Sequence, residues 1–401
     1  MILLTSMLHR NLLKDIIFRW MSDTLLEEDC YQVKKIINFN MYIINRYLDD
    51  ICHDMFTYLS GAPTWSFEVN SKGQIKDFIL AVAPEKNERF AYIKKRYKKF
   101  PEDFYRSSPF HGKLYCAGNR EQPTYLGHSR IKRFRRVAEK ASRRMINIIF
   151  NQIKKRADDL AFERASMLGI PKDRLVTSIE EQIEEFAHAE RRFIKELKQG
   201  MFYPDEEIIR SARIHDVAGI KVILEDDRLP LLEQFLNVRP EFKIVEKEGH
   251  SGVYNAVNYI IEYTINKESL LRRPPDKRAI KVLKARGLEE NTVLQEYEDF
   301  IQASEDDVML EVITSNYKEM IESELGRCMH EDRILAQREQ VEYKSSIARN
   351  VRYITEYLFL FAISGKVSLD RLPIRLWEKA MPDTYDHAIR ELWDIPTMPV
   401  L

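Results

Sequence analysis

The sequence predicts an α+β protein, with helix-rich N- and C-terminal regions around a central domain built on a mixed sheet. Three observations favour this class. Hydrophobic residues make up 44% of the 401-residue chain, which is enough to form a sizeable core. Charged residues make up 31% and only 13 glycines are present, as is typical of a largely helical protein. Short β-branched segments between residues 214 and 313 predict strands.

The N-terminal region, residues 1–198, is predicted to consist mainly of helices. Over residues 1–60 the apolar side chains recur at spacings of three and four, the periodicity of an amphipathic helix. Residues 61–128 are less regular and contain several turn signals. Within them, residues 65–69 are a candidate short strand.

Two longer helices are predicted at the end of this region. The first is a basic helix over residues 129–165, for which Ser129 is a plausible N-cap. The second covers residues 178–199 and begins at Thr177 or Ser178, with glutamates in its first turn and lysines near its end. That distribution of charge complements the helix dipole.

The central domain is predicted to cover residues 199–335, with a helical insertion at 266–306. A helix is expected at 228–238, and strands at 214–224, 242–245, 253–265 and 308–313. Alternating strands and helices indicate a sheet covered by helices. The C-terminal region, residues 336–401, is again predicted to be helical.

Several classes of protein are disfavoured by the sequence. The four cysteines are far apart, which indicates reduced thiols in a cytoplasmic protein rather than a disulfide framework. The longest apolar run, residues 357–363, is far shorter than the roughly 20 residues that span a bilayer. The N-terminus is broken by charges and does not resemble a signal peptide. We therefore expect a cytoplasmic protein with no membrane partner.

Asp216 and Glu311 are the candidate catalytic carboxylates. Asp216 begins a predicted strand, and Gly219, three residues later, permits close approach of another chain segment. Glu311 lies within the predicted strand at 308–313. Two carboxylates on neighbouring strands can hold Mg²⁺ for phosphoryl or nucleotidyl transfer. Alternatively, Asp216 is a turn or cap residue and Glu311 faces solvent.

Four segments resemble, in order, the motifs of the RelA/SpoT-type alarmone synthetase domain. The first is IHDVAGIKVI at 214–223, which is similar to the strand D-[LI]-x-G-[IV]-R. The second is EKEGHSGVY at 246–254, which resembles P-K-x-N-G-Y-x-S-L-H. The last two, LEVI at 310–313 and ELGRCMH at 324–330, resemble E-[IV]-Q-[IV]-R and A-E-x-G-x-A-x-H. The resemblance covers about residues 205–335.

This resemblance implies a nucleotidyltransferase-like domain that transfers pyrophosphate from ATP to the 3′-hydroxyl of GDP or GTP with Mg²⁺. Asp216 would bind the metal, and Glu311 would bind the metal or help to deprotonate the hydroxyl. His250 would take the place of a tyrosine that stacks on guanine. Further nucleotide-binding positions would be Lys221, Lys247, Arg192, Lys195 and Lys198. For this chain we expect a nucleotide or RNA as the acceptor.

Basic residues are concentrated in the N-terminal region, although the whole chain balances 63 Lys and Arg against 63 Asp and Glu. Residues 130–156 contain eleven Lys or Arg and the single acid Glu139, and residues 94–99 interleave Tyr97 with five cations. Such a surface is typical of contact with RNA phosphates and bases. The candidate nucleic-acid-binding residues are Arg133, Arg135, Arg136, Arg143, Arg144, Lys95 and Arg96. Alternatively, the cations form a solvated face or pair with acids at 180–185.

Two functions remain open from the sequence. The first is a Mg²⁺-dependent pyrophosphoryl or nucleotidyl transferase. The second is a catalytically inactive RelA/SpoT-like scaffold that binds RNA or a protein partner through its basic N-terminal surface. A weaker alternative is a metal-dependent hydrolase site, because His53 and Asp54 resemble the His-Asp pair of HD phosphohydrolases and His9 could add a ligand.

Overall fold

The structure, a computed structural model, describes residues 2–83, 87–171, 176–199, 212–252, 255–326, 330–339, 343 and 345–396. Helices make up 57% of these residues and strands 17%, and a central mixed sheet is flanked by helices. The predicted α+β class is therefore confirmed. Within the described ranges, no helix has the length and apolar character that crossing a membrane requires.

One mixed sheet organises the molecule. Its strands are β2 (Thr64–Ser71), β3 (Pro109–Ala117), β4 (Thr124–Ile131), β6 (Ala218–Ile223), β7 (Phe242–His250), β8 (Ala256–Thr264) and β9 (Asp307–Ser315). They lie in the order β2-β3-β4-β6-β9-β8-β7. The central pair, β6 and β9, is parallel, and the other neighbouring strands are antiparallel. Two short strands, β1 (Leu3–Leu4) and β5 (Arg213–Ile214), pair separately in parallel.

Helices surround this sheet. Those of the N-terminal half are α1 (Arg10–Ser22), α2 (Asp29–Ser60), α3 (Lys72–Val82), α4 (Glu88–Lys99), α5 (Phe134–Met167) and α6 (Ile179–Lys198). Those that follow are α7 (Leu229–Val238), α8 (Lys267–Leu271), α9 (Lys277–Ala285), α10 (Val293–Gln302), α11 (Tyr317–Leu325), α12 (His330–Glu339), α13 (Ser346–Ile363) and α14 (Pro382–Leu392). Two 3₁₀ turns occupy Pro101–Phe104 and Asp226–Arg228.

The two faces of the sheet pack against different cores because side chains alternate along each strand. On one face, Ile220 and Val222 of β6 belong to the larger core, which includes the buried side of α2. On the other face, helices α3, α4 and α11 form a smaller core with side chains such as Leu114. Gly219 and Lys221 alternate with the buried β6 residues, so they lie on this second face, where Lys221 reaches α11.

Three strands of the sheet come from the region that the sequence predicted to be mainly helical. The candidate strand at 65–69 is present within β2, but β3 and β4 were not predicted. Because β4 pairs with β6, the predicted boundary at 198/199 passes between strands of one sheet. The prediction that Ser129 caps a helix is wrong: Ser129 lies in β4 opposite Ile220, and α5 begins five residues later.

Other predicted elements are present in the structure. Helix α6 begins with a capping box in which Ser178 accepts from the backbone N–H of Glu181, and the Glu181 side chain accepts from Ser178. The predicted strands of the central domain correspond to β5 to β9. The insertion contains the helices α8, α9 and α10.

A buried lysine connects this insertion to the rest of the protein. Lys34, on α2, has no exposed surface, and its Nζ donates to the carbonyls of Arg286, Phe361 and Ser364 at 2.9, 3.0 and 2.8 Å. Two of these carbonyls lie at the end of α13, and the third follows α9. Burial lowers the pKa of Lys34 to about 8. The lysine therefore donates to three carbonyls from two parts of the chain, of which that of Phe361 also accepts from the backbone N–H and the hydroxyl of Ser364.

Replacing Lys34 by methionine should destabilise the fold. The variant keeps the length of the side chain but removes three hydrogen bonds and leaves the carbonyls of Arg286 and Ser364 without this donor, at a cost of about 3 kcal/mol in the free energy of unfolding. Urea denaturation would measure this change. The matched control is Lys35→Met, since Lys35 is partly exposed on the same helix and should change stability by less than about 0.5 kcal/mol. Equal stabilities of the two variants would contradict the structural role of Lys34.

Candidate active site

A cleft of about 440 Å³ lies on the second face of the sheet, beside the start of α5. Strands β4 and β9 contribute Arg130 and Glu311, and Asp216 precedes β6. Among the described residues that line it, seven are Lys or Arg and four are Asp or Glu, so the cleft is positively charged. The seven cations are Lys72, Arg130, Lys132, Arg133, Arg136, Lys140 and Arg143.

The carboxylate of Asp216 is held in the cleft by two lysines. The backbone N–H of Lys132 donates to the carbonyl of Val217 at 2.8 Å, which brings the end of β4 next to Asp216. The Asp216 Oδ2 atom then accepts from the ammonium groups of Lys132 and, at 2.7 Å, of Lys140 on α5. The Oδ1 atom is buried and has no hydrogen-bond partner. Asp216 therefore has one oxygen held by cations and one available to a ligand.

Burial and charge act in opposite directions on Asp216. Burial favours a raised pKa for this carboxyl, but Lys132 and Lys140 outweigh it and hold the pKa well below its usual range. Burial lowers the pKa of Lys132 to about 8, although Asp216 opposes the shift. Because the pKa of Asp216 is depressed, its contribution to stability is present above the unfolded pKa of about 3.9. That contribution is lost as the pH falls through the lower folded pKa.

A glycine allows Arg130 and Glu311 to meet. Gly219 lies opposite both residues in the register of β4, β6 and β9. Across this gap, Arg130 Nη2 lies 3.3 Å from Glu311 Oε2, while Glu311 Oε1 accepts from Asn258 at 3.3 Å. A Cβ atom at position 219 would lie 3.8 Å from both Arg130 Nη2 and Glu311 Oε2. Alanine fits there, but a longer side chain would separate the arginine from the glutamate.

The start of helix α5 forms a wall suited to phosphate groups. Its N-cap, Arg133, makes no side-chain capping bond, and the first turn contains no acid. Backbone N–H groups at a helix N-terminus, together with the helix dipole, attract anions. Arg136 and Arg143 also line the cleft, where both contact Glu139. Backbone and side-chain donors therefore converge on the same space.

Lys221 lies beneath this cleft. Its Nζ atom is 3.6 Å from Glu324 Oε1 and 3.3 Å from Ser323 Oγ, both on α11. Burial lowers the pKa of Lys221, and Glu324 partly compensates. A smaller pocket lined by Lys221, Lys72 and Arg130 adjoins the main cleft. The predicted nucleotide-binding lysine is thus near the site, already paired with an acid.

The remaining predicted nucleotide-binding residues lie elsewhere. On the edge strand β7, Lys247 pairs with Glu233 at 2.7 Å, and His250 Nε2 is 3.7 Å from a carboxylate oxygen of Glu248. On helix α6, Arg192 pairs with Glu196 at 3.4 Å, and Lys198 lies over a tryptophan ring. None of the described residues lining the main cleft comes from β7 or α6. The predicted nucleotide-binding residues on these two elements therefore do not line it; they are Lys247, His250, Arg192, Lys195 and Lys198.

The candidate nucleic-acid-binding residues fall into three groups. Arg133, Arg136 and Arg143 line the cleft. Arg135 and Arg144 are exposed on other sides of helix α5. The last group, Lys95 and Arg96, is exposed on α4, where Arg96 lies 4.0 Å from Asp103. The predicted basic surface is therefore divided between a cleft and the exposed surface of two helices.

Four cleft cations were missed by sequence reasoning. Arg130 and Lys132 were assigned to a helix, but Arg130 lies at the end of β4 and Lys132 directly follows this strand, and both line the cleft. Lys140 follows two turns into α5. The ATP-side pattern of RelA/SpoT-type domains, R-x-K followed by S and K, is not clearly present in the sequence and did not point to these residues. No sequence pattern pointed to Lys72, which comes from α3.

The structure limits the metal sites that can be considered. Within the described part of the chain, no group of three or more His, Cys, Asp or Glu side chains is arranged to hold a metal ion. Of the HD candidates, His9 contacts the carbonyl of Phe300, while His53 lies near Asp49 and Thr64. Residues 253–254 and 327–329, which belong to the resemblance, lie outside the described residues.

Comparison with known proteins finds no match to this chain among family models, curated proteins or solved structures. The resemblance to RelA/SpoT-type domains therefore stays a prediction made from short segments.

The buried ion pair of Asp216 with Lys132 should show strong energetic coupling. Asp216→Asn leaves Lys132 without its carboxylate partner and should cost about 3 kcal/mol in the free energy of unfolding. Lys132→Met should cost less, about 2 kcal/mol, because Asp216 keeps its contact with Lys140. The double variant should cost about 1–3 kcal/mol less than the sum of the single variants. Urea denaturation of all four proteins would measure this.

The control pair is Glu268 and Arg272, whose side chains are 81% and 79% exposed. Its coupling energy should be at most about 0.5 kcal/mol, as for other exposed pairs in helices. A coupling of that small size between Asp216 and Lys132 would show that the two groups are not a buried pair.

Proposed function

We propose that this protein is a Mg²⁺-dependent pyrophosphoryl or nucleotidyl transferase whose donor, a nucleoside triphosphate such as ATP, binds in the basic cleft. The observation that carries the proposal is the convergence of Asp216, Lys132 and Lys140 beside Arg130 and Glu311. Phosphoryl transfer depends mainly on positioning and on neutralising charge around the phosphates. The acceptor is a hydroxyl group of a nucleotide or of RNA.

The cations of the cleft are arranged to hold a polyphosphate chain. Lys132 and Lys140 approach from one side, and Arg133 and Arg136 lie at the start of α5. Arginine offers two parallel donors to phosphate oxygens, while lysine supplies a compact charge. Arg130 and Lys132 both line the cleft, so they add to the positive charge around this chain.

Asp216 and Glu311 are the residues that would hold Mg²⁺. The fit rests on the buried, unpartnered Oδ1 atom of Asp216, which can still accept a ligand. Mg²⁺ commonly takes one or two carboxylates and completes its shell with water and substrate phosphates, so two acids suffice. When bound, the metal supplies positive charge to the phosphate oxygens. Lys132 and Lys140 keep Asp216 ionised and oriented.

Glu311 is the candidate proton acceptor. Its contacts with Arg130 and Asn258 are both 3.3 Å, longer than strong hydrogen bonds, so a substrate hydroxyl can replace one of them. As the acceptor oxygen bonds to phosphorus, the bridging P–O bond breaks and the hydroxyl proton passes to Glu311. Attack at the β-phosphorus releases AMP, whereas attack at the α-phosphorus releases pyrophosphate. Lys132 and Arg130 stabilise the negative charge of the phosphates during transfer.

Glu311→Gln should lower the rate of transfer at least about 100-fold without preventing ATP binding, because the variant loses the base but keeps its size. Labelled ATP with Mg²⁺ and GDP, GTP or tRNA as acceptors would measure the transfer. The control, Glu298→Gln, changes an exposed glutamate on α10 and should keep full activity. The absence of transfer by the unaltered protein to any of these acceptors, or full activity of Glu311→Gln, would contradict the proposal.

A second candidate function is that of an RNA-binding scaffold without catalysis. The observation that favours it is that both carboxylates already have cationic partners, Asp216 with Lys132 and Lys140, and Glu311 with Arg130. Exposed cations outside the cleft, such as Arg135 and Lys95, extend the basic surface to α4 and α5. Such cations can neutralise phosphates of an RNA backbone without any chemistry.

The scaffold function can be tested through the dependence of RNA affinity on salt concentration. Binding to single-stranded RNA should weaken with a log–log slope of about −0.7 for each phosphate neutralised. Arg135→Gln and Lys95→Gln should each make the slope shallower by about 0.7. Fluorescence anisotropy at several salt concentrations would measure it, with the exposed Lys281→Gln on α9 as the control. Identical slopes for all variants would rule out RNA contact at these two residues.

A further inference from the structure

The cleft has a second wall whose chemistry differs from that of the basic wall. Tyr105, which follows the 3₁₀ turn at Pro101–Phe104, lines it together with Pro109 and His111 of β3 and Leu335 of α12. Leu335 is 40% exposed, and both Pro109 and His111 are also exposed. An apolar surface that faces cations across one cleft suits a ligand with one anionic part and one flat, apolar part.

The backbone at Tyr105 is held in an uncommon conformation. Its φ angle is 49°, in the left-handed region, where glycine or asparagine normally ends a helical turn. A bulky aromatic residue adopts this region only when its surroundings hold it there. The hydroxyl of Tyr105 donates to Asp332 Oδ1 at 2.6 Å, which links the tyrosine to α12. The left-handed backbone and the hydrogen bond to Asp332 together define the position of the Tyr105 ring at the cleft.

His111 is suited to stacking rather than to binding phosphate. Partial burial, and then the nearby positive charge of Arg133, lower the pKa of its imidazole. At neutral pH the ring is therefore largely uncharged, in contrast to the lysines and arginines opposite. Neutral aromatic rings stack on nucleobases and contribute about 1–3 kcal/mol for each base.

We infer that the wall formed by Tyr105, Pro109, His111 and Leu335 binds the base of the donor nucleotide, while the cations at the start of α5 hold its phosphates. This inference rests on the proposed function and adds to it the part of the cleft that selects a nucleoside over bare polyphosphate. The base contacts come from the start of β3, the turn before it and α12. Because stacking is tolerant of base identity, the wall favours a purine through contact area rather than through hydrogen bonds.

The inference is tested by comparing two ligands in the full chain. ATP and inorganic tripolyphosphate share the triphosphate but differ in the nucleoside, and isothermal titration calorimetry measures the affinity of each. His111→Ala should weaken ATP binding about tenfold and leave tripolyphosphate binding within about twofold. Tyr105→Ala removes a second ring of the same wall and should likewise weaken ATP binding while leaving tripolyphosphate binding within about twofold.

The matched control is His387→Ala, which removes an imidazole that is 60% exposed on α14 and does not line the cleft. It should change neither affinity. An equal effect of His111→Ala on both ligands, or no effect on either, would overturn the assignment of the base to this wall while leaving phosphate binding intact. Failure of the unaltered protein to bind either ligand would overturn the proposed function and the inference with it.

Discussion

The ion pairs of Asp216 with Lys132 and Lys140 join the end of β4, the start of β6 and the second turn of α5. Placing the carboxylate between two ammonium groups offsets the cost of largely burying Asp216 and Lys132, while Lys140 stays partly exposed. The direction of α5 and the position of its basic N-terminus follow from this arrangement. The cleft depends on these ion pairs, because Arg133 and Arg136, which line it, lie on the chain segment between Lys132 and Lys140.

The two faces of the sheet have different roles: one packs against the large core, and the other carries the candidate site. One face is covered by α2 and the large core, which Lys34 ties to the insertion and to α13. The other face is only partly covered by α3, α4 and α11, and the cleft occupies the remainder. Strands β2 and β3 widen the sheet, and the start of β3 supplies Pro109 and His111 to the apolar wall of the cleft. Polar residues such as Glu311 can therefore reach the cleft without disturbing the large core.

The elements with a strong local pattern could be predicted from the sequence. The β-branched runs gave β6 to β9, and the capping residues gave α6. Strand β4 was missed because its sequence carries Gly127, Ser129 and Arg130, whose polar character hides the alternation. Its strand conformation comes from pairing with β3 and β6, a long-range interaction that local propensity does not contain.

The candidate site was predictable only in part, for the same reason. Asp216 and Glu311 could be expected to line one site, since β6 and β9 are neighbouring strands and Glu311 pairs with Gly219, three residues after Asp216. From the sequence, the surrounding cations were assigned to one helix, so their contacts with Asp216 were not predicted. Tyr105 and His111 carry no pattern that points to a cleft, because only the packing of β3 beside β4 brings them there.

A crystal structure of the protein with Mg²⁺ and α,β-methylene-ATP would show whether the donor nucleotide binds in the basic cleft, since this analogue resists cleavage between its first two phosphates. We expect triphosphate density between Arg130, Lys132, Lys140 and the first turn of α5, with Asp216 Oδ1 facing the metal. Density for the analogue at another surface, or an unliganded cleft at saturating concentration, would contradict it.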